Sequence, residues 1–286
     1  MTVTYEVPES LRSLRQSDFG TMLSCGRKLY LSKGEGHPRR SSRKMMVGTS
    51  FHKGVECLYR SVLLGDRVEI TEAKSQAVCS VQVGFSLADP ADMELGPKET
   101  LESAIIDAGS LLCRGLDYYY DRIFPVIASL GEPAAIEHRM EFSYRGFEIN
   151  GTCDLVDGVS CLRDHKFSQG YLAKSWPDSY LAQLARYVWF LSLDGIKVED
   201  LSLDMVSYSR ANKAKDPRID HHSYTLAETG LDIGTIQRMG KESVDAALDL
   251  IEAGVFPRFS MNSFGLGCGM CPYRGSLCTG AMAKTA

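Results

Sequence analysis

The stretch FEINGTCDLVDGVSCLRDHK, residues 147–166, decides how this chain folds. Its apolar and polar residues alternate over short runs, and Asp157-Gly158 interrupts them, so it reads as two strands joined by a tight turn. The preceding AIEHRMEFSYRG, residues 135–146, alternates in the same way and ends on a second turn signal, Arg145-Gly146. Three antiparallel strands of one sheet follow. Two of them carry chemistry: Asp154 on the first half of the opening stretch, then Asp164, His165 and Lys166 on the second. Asp164 and Lys166 are two apart and leave a strand on one face. A two-residue turn at 157–158 would put Asp154 on the opposite face. A three-residue turn at 157–159 would pair Asp154 with Leu162 and gather Asp154, Asp164 and Lys166 together. The sequence therefore predicts an odd-length turn or a bulge.

Outward from the strands the pattern turns helical. Residues 177–192 begin at a proline and place Leu181, Leu184, Val188 and Leu191 along one stripe. Strands at 201–209 and 219–225 and a helix at 229–253 follow. Upstream, helices are predicted at 17–32, 48–64, 71–88 and 98–128, the second with Phe51, Val55, Leu58 and Val62 at helical spacing. The fold class is α/β, a mixed central sheet flanked by helices. One domain is expected over 1–286: an N-terminal helical part (17–64), a helical insert (65–130), a core (131–253) and a C-terminal cysteine segment (254–280).

The chain has 286 residues, 44% hydrophobic and 24% charged, which suits an ordinary soluble domain with a substantial core. No apolar run approaches the roughly 18–20 residues of a membrane span, and the start lacks the pattern of a secretion signal. A cytoplasmic protein without membrane contact is the expectation. The net charge of −4 argues against a protein that coats nucleic acid. Locally, however, nine Lys and Arg between Arg12 and Lys44 face only Asp18 and Glu35. The Gly/Pro/Ser-rich GEGHPRRSSRK within that span reads as a basic loop able to meet phosphates.

Two carboxylates beside a lysine form a recurrent arrangement for phosphodiester hydrolysis. Hard oxygen ligands hold Mg²⁺ or Mn²⁺, and the lysine stabilises charge developing on the phosphate. His52 and Glu56 share one face of the early helix, and a neutral histidine beside carboxylates suits Mn²⁺. Gln183 and Tyr187, also four apart, can reach the strand ends from the later helix. At the chain's extremities, Cys25 and the C-x2-C-x6-C run of Cys268, Cys271 and Cys278 have the composition of a four-thiolate metal site, zinc or iron–sulfur. The other five cysteines are scattered through periodic segments and read as small buried hydrophobes.

In order, SCGRKLYL, GTSFHKGVE, GTCD, DHK, QLARY, FPRF and CGMCPYRGSLC resemble the RecB-like branch of the PD-(D/E)xK nuclease superfamily, most closely the CRISPR-associated iron–sulfur exonucleases and their phage relatives. The resemblance implies a restriction-endonuclease-like core and a metal-dependent DNA exonuclease acting on single-stranded ends. It implies that His52, Asp154 and Asp164 bind Mg²⁺ or Mn²⁺, with the His165 carbonyl as a further ligand. Lys166 would be the catalytic lysine and Gln183 and Tyr187 its supporting motif, while Glu137 matches loosely an acidic position on the preceding strand. Cys25, Cys268, Cys271 and Cys278 would hold a 4Fe–4S cluster that clasps the two ends of the chain. Candidate base-stacking aromatics are Tyr30, Tyr171 and Trp176. Implied partners are DNA and either a second copy of the chain or CRISPR adaptation or recombination proteins. The alternative is a DNA-binding subunit of such a complex, with endonuclease or flap-trimming activity or a vestigial nuclease site.

Overall fold

The computed structural model describes residues 5–37, 42–66, 69–89, 93, 95, 99–170, 172, 174–209, 218–257, 271, 273 and 278. Cys268, Tyr171 and residues 38–41 of the basic loop lie outside the described residues. A short strand β1 (Ser13–Arg15) leads into α1 (Gln16–Leu29). Helices α2 (Arg43–Leu64), α3 (Ile70–Leu87), α4 (Leu101–Arg122) and α5 (Phe124–Ala128) follow. The helix expected over 98–128 is two pieces, because Pro125 has no N–H to continue the first and instead opens the second.

Strands β2 (Ala135–Tyr144), β3 (Phe147–Val156) and β4 (Cys161–Gln169) form the expected antiparallel meander. Helix α6 (Asp178–Leu193) crosses over to β5 (Asp200–Ser209), which lies parallel to β4; β6 (Arg218–Thr225) and α7 (Ile233–Glu252) complete the described fold. The sheet runs β1-β3-β4-β5-β6, with β2 on the remaining edge of β3. It is the mixed α/β architecture read from the sequence, with β1 as an addition.

Both faces of the sheet are covered. One packs Phe19, Met22, Ile149, Leu184, Phe190, Leu203 and Leu248 between the sheet and α1, α6 and α7. The other packs Phe51, Leu58, Val81, Leu112, Tyr119, Phe167 and Val206 between the sheet and α2 together with the helical insert. Each fully buried large side chain contributes on the order of 1.5–3 kcal/mol, so the insert is an integral layer of the core. Among the described residues no helix is long and apolar enough to cross a membrane.

Candidate active site

The two hairpins of the meander differ in how far they close. At β2–β3, Arg145 (φ 52°) and Gly146 (φ 75°) make a two-residue turn of the kind that matches strand twist, and pairing runs from Tyr144↔Phe147 to Ala135↔Val156. At β3–β4 only Leu155↔Arg163 and Val156↔Leu162 are paired. The turn there is three residues, 158–160, closed by Asp157 N–H donating to the Cys161 carbonyl at 3.0 Å. Its odd length is as expected, but it starts one residue later than 157–159. The shift follows from the Asp157 carboxylate, which accepts from Val159 N and Cys161 N at 3.0 Å each and from Arg163 Nε at 2.7 Å. Continued by one step, this register sets Asp154 opposite Asp164 rather than Leu162.

Beyond those two pairs the strands separate, and side chains from both layers meet in the gap. From the N-terminal helical part, His52 Nδ1 on α2 comes 3.3 Å from Asp154 Oδ2. The His165 backbone N–H donates to the same oxygen at 2.8 Å. From β2, Glu137 completes a group in which His52, Glu137 and Asp154 each offer one ligand atom, all within 4.8 Å of one another. The β2–β3 register puts Glu137 directly across from Asp154, yet this pair is missing from the ladder, because Glu137 has φ 44° in mid-strand. A non-glycine residue there is strained by about 1–2 kcal/mol.

On the other side of the gap, Lys166 Nζ lies 2.6 Å from Asp164 Oδ2, which accepts no well-oriented hydrogen bond. The Lys166 ammonium also sits over the Tyr180 ring of α6, 5.7 Å from its centroid. Tyr187, buried one helical turn beyond Gln183, bonds to the Gln183 side chain and feels the charges of Asp164, Asp154 and Lys166. Gly151 makes this approach possible: a Cβ there would lie 3.2 Å from Gln16 Cβ and 3.3 Å from Tyr187 Cε1.

The electrostatics follow the same division. Burial opposes ionisation of Asp154, but His52 and then Lys166 outweigh it and hold the carboxyl below its ordinary range. Asp164 is pushed up, chiefly by burial and despite Lys166. Burial, then repulsion from Asp154, raises Glu137 to about 7. Lys166 is held protonated: burial disfavours the charge, and Asp164 and Asp154 overcome it.

Of the residues expected at the site, the structure thus brings together His52, Asp154, Asp164, Lys166, Gln183 and Tyr187. Glu56 is not among them, being ion-paired to Lys53 and Arg60. His165 contributes its amide to Asp154, while its ring is buried against Tyr59 and Tyr119. Two proposed stacking aromatics are committed elsewhere. Trp176 is buried and donates to the Thr225 carbonyl, and Tyr30 packs with Tyr5, Phe256 and Arg27. Glu137 was legible only loosely; counting from the Arg145-Gly146 turn would have placed it opposite Asp154.

The donor set suits a hard divalent cation, with two carboxylate oxygens and one imidazole nitrogen at mutual distances that a single ion can bridge. At the far end of α1, the helix kinks at Cys25, whose φ of −159° and ψ of 89° are extended. Arg27 N–H donates to the Pro257 carbonyl at 3.1 Å, and Tyr273 Oη donates to the His37 carbonyl at 3.1 Å. Cys271 and Cys278 flank Tyr273, and Cys278 N–H donates to its carbonyl at 2.8 Å.

Comparison with known proteins agrees with this geometry. A candidate exonuclease from Eubacterium rectale superposes with a TM-score of 0.51 at 14% identity, over 92% of this chain and 91% of its own. A phage-related exonuclease from Haemophilus somnus 129PT gives 0.29 at 14% identity, over 68% and 92%, too low to carry an argument. No curated protein sequence matches the chain. Residues 13–278 match the PD-(D/E)XK nuclease superfamily, and the split hairpin with its acids and lysine is therefore that of a nuclease: this chain belongs to the PD-(D/E)XK nuclease superfamily.

Proposed function

We propose that the protein is a divalent-metal-dependent DNA exonuclease that trims single-stranded ends. The observation that carries the reading is the convergence of His52, Glu137 and Asp154 on one side of the gap with the Asp164–Lys166 pair on the other. His52, Glu137 and Asp154 would hold Mg²⁺ or Mn²⁺, with Asp164 facing the same space. When bound, the ion supplies an acidified water and neutralises charge on the phosphate. The chain's own groups do the rest. Lys166, kept protonated and aimed by Asp164, donates to a phosphate oxygen as charge accumulates there. The His165 amide fixes the Asp154 carboxylate, and the Gln183–Tyr187 pair walls the site against α6. The exonuclease assignment is supported by the similar fold of the candidate exonuclease from Eubacterium rectale.

The same reading assigns Cys25, Cys268, Cys271 and Cys278 to a 4Fe–4S cluster. It is supported by the approach of Arg27 to Pro257 and of Tyr273 to His37, which draws the two ends of the chain together. Thiolates are poor ligands for Mg²⁺, so the cluster is a clasp and not the catalytic centre. Digestion of end-labelled single- and double-stranded DNA with Mn²⁺ or Mg²⁺ tests the function. Loss of nucleotides from single-stranded ends, absent in Asp154→Ala, is expected; equal digestion by wild type and variant would remove the assignment.

A further inference from the structure

The edge of β3 that faces away from β2 is shared by two strands. β1 takes its beginning, at Ser13↔Glu148 to Arg15↔Asn150, and β4 takes its end, at Leu155↔Arg163 and Val156↔Leu162. Between them the backbone from Gly151 to Asp154 has no strand partner on that edge. A cleft of about 450 Å³ opens at this fork. Arg15, Asn150, Thr152 and Arg139 line it from the sheet, and Gln183 and Tyr187 from α6. The Gln183–Tyr187 wall is the one that bounds the Asp164–Lys166 pair, so cleft and metal group are neighbours. Thr152 precedes Asp154 by two residues, about 6.6 Å along a strand.

The chemistry of the lining is specific. Arg15 is exposed at the end of β1, beside Asn150 in the register. Arg139 is opposite Thr152 on β2. Its one carboxylate partner in the described structure is the exposed Glu141, an ion pair of little worth in water. Asp18, which follows the lining residues Gln16 and Ser17, is buried and taken by Lys33 at 2.8 Å and by the Arg15 amide at 2.9 Å. Two guanidinium groups with neutral amide and hydroxyl groups between them match a phosphate and its sugar, since arginine binds phosphate oxygens in pairs.

We infer that the fork cleft is a second phosphate subsite, in which Arg15 and Arg139 hold the backbone phosphate next to the one at the metal group. This rests on the nuclease reading of that group and names a part of the substrate that the group itself does not touch. Both an internal phosphodiester and a terminal phosphate offer this chemistry.

The test is binding of a fluorescent single-stranded oligonucleotide, with and without a 5′-phosphate, to the wild type and to the Arg15→Ala/Arg139→Ala variant. Ca²⁺ replaces the catalytic ion, and the salt concentration is varied. Affinity should fall about tenfold or more, and the slope of log affinity against log salt should shrink by roughly 0.7 per arginine. Arg238→Ala, on the exposed face of α7, should change neither. A loss confined to the 5′-phosphorylated strand assigns the terminal group, and a loss with both strands assigns the internal one. An unchanged salt slope, whatever the affinity, overturns the proposal. Hydrolysis of bis(4-nitrophenyl) phosphate, which is too small to span both sites, should be unaffected in the double variant. An equal loss on that substrate would place the arginines in service of the metal group instead, and also overturn the proposal. If the wild type hydrolyses neither substrate, the nuclease reading fails while the salt slope still judges the cleft.

Discussion

The β2–β3 and β3–β4 hairpins share a strand and a similar sequence texture, yet one is zipped to its end and the other parts after two pairs. In the closed hairpin, Arg145-Gly146 sets a register that runs from Tyr144↔Phe147 to Ala135↔Val156, skipping only the Glu137–Asp154 position. In the open one, Asp157 and Arg163 hold the turn tightly while the strands diverge beyond it. Every charged group assigned to the chemistry lies along that divergence or at the skipped pair. Pairing given up at these positions frees a space that both helical layers can reach, α2 with His52 and α6 with Tyr180 and Tyr187. What the fold loses in ladder hydrogen bonds, the buried Asp157–Arg163–Asp204 connection partly restores.

Substitutions at the open end should therefore damage chemistry, and those at its turn should damage stability. The largest effect is expected from Lys166→Ala and Asp154→Ala, which should lower DNA hydrolysis by roughly 10²–10³-fold or more in a single-turnover assay, with little change in Tm. Asp157→Ala should do the reverse. It strands two backbone N–H groups and leaves Arg163 with Asp204 as its carboxylate partner, which costs on the order of 3 kcal/mol in denaturant unfolding, while residual folded protein keeps its turnover.

A smaller effect concerns pH. Glu137 stays protonated in the folded protein up to about 7, above its ordinary value. Without an ion, its contribution to stability is complete below the unfolded carboxyl range and is lost as pH rises through about 7. A bound ion requires the carboxylate, so Mn²⁺ affinity should climb by up to about tenfold per pH unit toward 7 and then level off, measured by calorimetry. A flat profile between about pH 5 and 8 would remove Glu137 from the ligand set.

Much of this was legible in the sequence, for stated reasons. The meander, the crossover helix and the layers of helices follow from alternation and helical spacing strong enough to survive tertiary context. The parity argument over the 157–166 hairpin correctly demanded an odd turn, since a one-residue slip would turn Asp154 away from Asp164. It missed the position of the turn, because the Asp157 side chain caps the loop and extends the strand by a residue. β1 was not visible: three residues carry no periodicity, and its pairing with β3 is a contact across the chain. Glu137 was undervalued because its strained backbone has no sequence signature, although the register from Arg145-Gly146 points at it. Trp176 and Tyr30 illustrate the opposite error, since aromatic rings that could stack on bases are used here for packing.

Central to the proposed function is an ion gripped across the skipped pair of the closed hairpin and from α2, by Glu137, Asp154 and His52, and not by Glu56, the acid of α2. Mn²⁺ binding to Glu137→Gln and Glu56→Gln tests it most directly, because the two variants remove the same charge. Affinity should drop about tenfold or more in Glu137→Gln, for loss of one carboxylate ligand, and stay at the wild-type value in Glu56→Gln. Equal affinities in the two variants, or the larger loss in Glu56→Gln, would contradict the account.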